Sequence, residues 1–177
     1  MQFNVAQLMK ERTGAKRQYE LDEDVQALYK DFQVKDTLRG EVTFIRTSDG
    51  VLVTGELDTS VEMVCDRCLE PIEPLVTIQL EEEFRPTIDI VTGIWIPQAE
   101  ENEEATRIDE HHILDLTEVV RQGLMLAEPM HPLCQADCKG LCPNCGKNLN
   151  EGPCECEPEL MDDRWAGLEV LRNLLNE

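Results

Sequence analysis

The chain has 177 residues, with 16 Lys and Arg against 37 Asp and Glu, a formal charge of −21 at neutral pH. That length suits one ordinary domain with a core of its own. The charge argues against non-specific wrapping of DNA or RNA, where Lys and Arg must replace the counterions of phosphate; a basic partner suits it better. No apolar run reaches the ~18 residues of a membrane span. The first twenty residues lack the apolar stretch and cleavage site of a secretory signal, so the expected compartment is the cytoplasm.

In chain order, Met1–Val5 reads as a short strand. A basic stretch follows, with Lys10, Arg12, Lys16 and Arg17 as candidate contacts to a partner or to RNA. A weak helical pattern covers Val25–Phe32. Leu38–Thr47 is rich in β-branched and aromatic residues, Ser48-Asp49-Gly50 is a turn, and Val51, Val53 and Leu57 share one face of the returning strand, which predicts a hairpin. Val61, Met63 and Cys65 continue the alternation. Val76, Ile78 and Leu80 form another inward set with Glu81 and Glu83 outward, and Ile88, Ile90, Ile94 and Ile96 predict one more strand.

The acidic run 97–110 reads as a solvated loop. Asp115-Leu116-Thr117-Glu118 has capping-box spacing. Leu116, Val119, Val120 and Leu124 follow at helical intervals, so a helix should occupy 111–128 and end by Pro129. A final helix is expected within 159–177, with Trp165, Leu168, Leu171, Leu174 and Leu175 on one stripe. The whole predicts a single α+β domain over 1–177: a mainly antiparallel β body over 1–96, then the acidic loop, a helix, a metal-stapled cysteine-rich segment over 129–158, and the last helix.

Eight cysteines fall into close pairs: Cys65/Cys68, Cys134/Cys138, Cys142/Cys145 and Cys154/Cys156. A reducing compartment seldom supports disulfides, whereas two sulfurs on a tight turn are half of a tetrahedral thiolate site. In Cys142-Pro-Asn-Cys145-Gly146 the proline tightens the turn, and the glycine permits the positive φ that points N–H groups at a thiolate. A structural zinc on Cys142, Cys145, Cys154 and Cys156 is the first expectation, with Cys138 able to replace a member of the last pair. Cys65, Cys68, Cys134 and Cys138 are a candidate second site, giving one or two zinc ions. The Cys65/Cys68 pair also reads as plain thiols on a β-turn. Rubredoxin-type iron, an iron–sulfur cluster and a redox pair at Cys65/Cys68 are the competing chemistries. His131 is a substitute ligand at most.

No G-x-S-x-G elbow, P-loop or G-x-G-x-x-G occurs, and all-thiolate zinc sites are closed rather than catalytic. The expectation is a protein that is not an enzyme.

Three stretches carry a resemblance: MQFNVAQLMKERTGAKRQYE, VEMVCDRCLEPIEPLVTIQLEEEF and ILDLTEVVRQGLMLAEPMHPLCQADCKGLCPNCGKNLNEGPCECE. Together they resemble the YceD family of large ribosomal RNA subunit accumulation proteins over nearly the whole chain. The resemblance implies a non-catalytic ribosome-biogenesis factor that promotes accumulation of large-subunit ribosomal RNA, through a large-subunit ribosomal protein or a precursor particle. A small zinc-ribbon ribosomal protein, often encoded beside family members, is the natural partner. Proteobacterial members keep the C-x2-C knuckle but lack most tail cysteines. Tail metal is therefore a staple, and the Cys65–Cys68 turn, with Arg67 between, is the better candidate for a shared surface. Direct rRNA binding and an RNA-processing activity are the alternatives. No membrane or DNA partner is expected.

Overall fold

The computed structural model describes residues 1–26, 32–97 and 104–156. The expected final helix and most of the weak helical pattern at 25–32 lie outside the described residues, as does 98–103 of the acidic loop. The chain divides into two compact units: Met1–Asp66 with Glu70–Cys134, and Arg67–Leu69 with Gln135–Glu177.

The first unit is β-rich, with two α-helices among the described residues. In chain order it holds β1 (Gln2–Asn4), α1 (Ala6–Lys10), β2 (Lys16–Glu23), β3 (Leu38–Arg46), β4 (Val51–Ser60), β5 (Met63–Val64), β6 (Pro71–Ile72) and β7 (Leu75–Pro86). A 3-10 turn (Glu104–Thr106), β8 (Arg107–Ile108), β9 (Ile113–Asp115) and α2 (Thr117–Ala127) complete it. Seven strands form one sheet in the order β1-β9-β8-β7-β4-β3-β2, antiparallel except for the β7–β8 pair. Its centre is the long β4–β7 pairing, from Val51 opposite Phe84 to Ser60 opposite Leu75.

Alternation along these strands puts Val42, Phe44, Val53, Leu57, Val76 and Ile78 inside, as the period-2 pattern requires. Although β1 and β2 are the sheet's two edges, Phe3 and Tyr19 meet at 5.1 Å between ring centroids, and each lies 5.0 Å from Phe44. The sheet therefore curls until its edges share one aromatic cluster. Glycine permits the tight backbone approach this needs: a Cβ on Gly40 would lie 2.0 Å from the Glu56 carbonyl oxygen. Helix α2 closes the core with Val119, Val120 and Leu124. It rests close on β7, because a Cβ on Gly123 would lie 2.5 Å from Cγ2 of Ile78.

The solvent face of the curled sheet is acidic. Glu20 stands opposite Glu41, and Glu41 opposite Glu56. Like charges directly opposite one another cost stability; here Gln18 donates to Glu41 and Gln79 to Glu56.

Three expectations change. Ile88–Ile96 forms no continuous strand: the Asp89 carboxylate accepts from the N–H groups of Val91 and Thr92 and turns the chain, leaving one bridge between Ile88 and Trp95. The loop expected over 97–110 includes β8, anchored by fully buried Ile108. Within 111–128, residues Ile113–Asp115 are a strand paired with β1, and the helix begins only at Thr117. The reciprocal capping box is not made. Asp115 accepts from the Thr117 N–H, while Glu118 turns to Arg121 and Gln122.

Candidate metal centres

The Cys142 loop folds as its sequence suggests. Gly146 adopts φ 71° and its N–H donates to the Cys142 carbonyl, while the Cys142 N–H donates to Lys147 five residues on. Cys65 N–H likewise donates to Glu70, five residues on, and Leu69 holds φ 60° where the other loop has Gly146. The two C-x2-C loops are thus the same backbone knuckle. The Cys65 loop is the harder of the two to read from sequence, because Leu69 hides the left-handed position that Gly146 announces in the other.

The sulfurs of Cys142, Cys145, Cys154 and Cys156 lie within 4.8 Å of one another, those of Cys142 and Cys154 at 3.4 Å. The sulfurs of Cys65, Cys68, Cys134 and Cys138 likewise lie within 4.8 Å of one another. Four thiolates around an ion at ~2.3 Å stand about 3.8 Å apart, so both groups could hold a metal ion. Neither group contains a histidine. Instead, His131 Nδ1 lies 2.9 Å from the Asp66 carboxylate.

The electrostatics of the Cys142 group suit a cation. The backbone N–H groups of Cys145 and Asn144 draw the Cys142 thiol down to about 6. Cys156 is pushed up to about 12, first through its hydrogen bond with Cys145 and then by burial and Cys142. One sulfur ionises readily and another resists while negative charge gathers beside it, a conflict that a dication resolves.

Asn150, which the sequence did not single out, supports Cys138. Its Nδ2 donates to the Cys138 sulfur at 3.3 Å, and its Oδ1 accepts from the Lys139 N–H at 2.8 Å. Hydrogen bonds of this kind orient metal-binding thiolates. Arg67 is exposed, but its Nη1 donates to the Cys138 carbonyl at 2.8 Å, and its own carbonyl accepts from Leu141. The structure thus uses Arg67 to fasten its loop.

The four N-terminal cations lie on different elements. Lys10 ends α1 and Arg12 lies in the next loop, both exposed. Lys16 and Arg17 are consecutive in β2 and so point to opposite faces, and Arg17 donates to Glu11 at 2.7 Å. Among the described residues, no helix is long and apolar enough to cross a membrane.

Comparison with known proteins places these features. Residues 53–172 match the family described as "Large ribosomal RNA subunit accumulation protein YceD". An uncharacterized protein of Mycobacterium tuberculosis is 37% identical over 121 residues, 68% of this chain and 55% of its own length. One of Mycobacterium leprae is 26% identical over 121 residues, 68% of this chain and 52% of its own. The "Large ribosomal RNA subunit accumulation protein YCED homolog 1, chloroplastic" of Arabidopsis thaliana is 23% identical over 171 residues, 84% of this chain and 52% of that protein. The chain thus spans about half the length of the curated relatives it matches. No solved structure matches it.

Proposed function

The chain belongs to the YceD family, and from that premise we propose that it is a non-catalytic factor that promotes accumulation of large-subunit ribosomal RNA in the cytoplasm. The family match over residues 53–172 carries this reading. Its route is binding of a basic large-subunit ribosomal protein or a precursor particle. Supporting this, the outward row Glu20, Glu41 and Glu56 offers carboxylates on three adjacent strands. The chain as a whole is strongly acidic, and such a surface steers a basic partner at long range.

Zinc is the metal of this reading, on Cys142, Cys145, Cys154 and Cys156, with a second ion on Cys65, Cys68, Cys134 and Cys138. Bound there, zinc supplies folding energy and a closed tetrahedral staple. Four thiolates against two positive charges leave each site at −2, so metallation deepens the acidity that draws a basic partner.

Sucrose-gradient sedimentation of lysate tests the function. Co-migration with a large-subunit precursor that persists from low to physiological salt is the expected result. Protein confined to the top of the gradient in both salts overturns the precursor reading.

A further inference from the structure

The segment 87–96 closes on itself as a hairpin. The Asp89 N–H donates to the Ile94 carbonyl, the Gly93 N–H to the Asp89 carbonyl, and the Ile96 N–H to the Thr87 carbonyl. One carboxylate oxygen of Asp89 also accepts from the Val91 and Thr92 N–H groups and the Thr92 hydroxyl. Gly93, at φ 67°, takes the left-handed position. The loop is thus held by its own backbone and one carboxylate, which leaves its apolar side chains free for other use. Val91 is 84% exposed, Ile94 66% and Trp95 65%. With Ile96 they make four exposed large apolar side chains within six residues, more than any other stretch so short among the described residues. Single exposed apolar residues are ordinary, but a contiguous group marks an interaction site.

Charge decides what this tip meets. Phosphate and anionic lipid are drawn by cations, and the hairpin is set among carboxylates instead. Its base is held where the Thr87 N–H donates to the Ile108 carbonyl, and the next two residues, Asp109 and Glu110, are both exposed acids. In sequence, Glu100, Glu101, Glu103 and Glu104 fall within the eight residues after Ile96. A second copy would bring the same charge of −21, so self-association through the tip is opposed. Beside the tip, Ile90 and Ile96 help to line a cleft of about 380 Å³. There Arg46 and Arg85 are matched in number by Asp49 and Asp89, so the cleft does not reverse the acidic surroundings.

We propose that the hairpin is the apolar anchor for a basic protein: Val91, Ile94 and Trp95 enter a hydrophobic pocket of the partner, and Asp109 and Glu110 at the base pair with its Lys and Arg side chains. The inference rests on the basic-partner reading above and deepens it by naming where that partner docks. A few apolar residues, aromatic ones above all, carry most of the energy of an interface. A loop already fixed by its own hydrogen bonds pays little ordering entropy when it binds. Steering and grip are thereby separated. The acidic sheet face attracts the partner at long range and weakens in salt, whereas the buried tip holds it in salt that screens exposed charges.

The test uses the full metal-loaded chain and, as probe, the proteins extracted from purified large ribosomal subunits. Photo-crosslinking from benzoylphenylalanine in place of Val91 should give a covalent product with a basic large-subunit protein, identified by mass spectrometry. The affinity of that purified protein should fall at least about tenfold with Trp95→Ser and with Val91→Ser/Ile94→Ser, at unchanged melting temperature. Leu126→Ser, likewise exposed but at the end of α2, should leave affinity within about twofold of wild type. If Trp95→Ser melts early, Val91→Ser/Ile94→Ser with wild-type melting replaces it. A product within the same chain or with a second copy, no product at all, or equal weakening by Leu126→Ser overturns the proposal. Wild type that binds phosphatidylcholine–phosphatidylglycerol vesicles and loses them with Trp95→Ser assigns the tip to a membrane and likewise overturns it. Wild type that captures no extracted protein yet co-sediments with a large-subunit precursor overturns this inference alone and leaves the family-based function standing.

Discussion

Leu69 and Gly146 occupy the same place in two loops of different sequence, each four residues after the first cysteine of a C-x2-C pair, with φ of 60° and 71°. A left-handed backbone costs a side-chain-bearing residue roughly 1–2 kcal/mol. Glycine escapes that cost but loses about 0.5–1 kcal/mol more conformational entropy on folding. Leu69 is 63% exposed, so little packing offsets the strain. Leu69→Gly should therefore raise stability, by up to about 1 kcal/mol, read from the urea midpoint of the metal-loaded chain.

Removing one pair of thiols should remove one ion. A Cys142→Ser, Cys145→Ser variant and a Cys65→Ser, Cys68→Ser variant are each expected to carry one zinc fewer than wild type by native mass spectrometry. Chelation should leave the strand signal in far-ultraviolet circular dichroism, because the core around Phe44, Leu57, Ile78 and Phe84 contains no metal ligand. A coloured, iron-loaded wild type would contradict the assignment of zinc.

Metal capture should be pH-dependent with a defined sign. In the metal-free chain the Cys142 thiol lies at about 6, against an ordinary value near 9. Folding thus favours its thiolate, an advantage complete above about pH 9 and lost as pH falls through about 6. In the chelated chain one thiol should ionise with a midpoint near pH 6, read as thiolate absorbance in the ultraviolet, and Cys142→Ala should abolish it.

Gly123 should not tolerate a branched side chain. Cγ2 of Ile78, itself buried, already occupies the place of a Cβ. Gly123→Val should cost about 2–3 kcal/mol through overpacking between α2 and β7, despite any gain in helix propensity, as a lowered urea midpoint with unchanged metal content.

Asp115 links β9 to the start of α2. Burial opposes its ionisation, yet hydrogen bonds from Thr117 and Gln2 hold it below the usual carboxylate range. A lowered folded pKa gives stability above the ordinary value near 3.9 that is lost as pH falls below it. Asp115→Ala should cost about 1 kcal/mol at neutral pH, and the difference from wild type should narrow below about pH 4. Thermal melts across that range measure it.

Much of the body was legible because it is local. The hairpin around Asp49-Gly50 and the inward set Val76, Ile78 and Leu80 follow from alternation within a few residues. Both cysteine groups could be drawn from spacing, because paired thiols in one turn have few other uses. What escaped depends on distant partners. Met1–Val5 is expected as a strand and Gln2–Asn4 is one, but Ile113–Asp115 is a strand only through β1 and β8, and nothing near Ile113 announces it. Ile88–Ile96 has the alternation of a strand, but Asp89 turns the chain through hydrogen bonds that hydrophobic period does not record.

The pairing of β1 with β9 also sets a timetable for synthesis. Strands β2, β3, β4 and β7 can join once Pro86 has cleared the ribosome, but β1 must wait for Asp115, roughly thirty residues later. At ~5–20 residues per second that delay lasts a few seconds. Throughout it, β1 has no edge to pair with, and Phe3 lacks the strand that will hold it against Tyr19 and Phe44. The newborn chain is most exposed to misassociation at the mouth of the ribosome, and its sheet completes only once Asp115 has emerged.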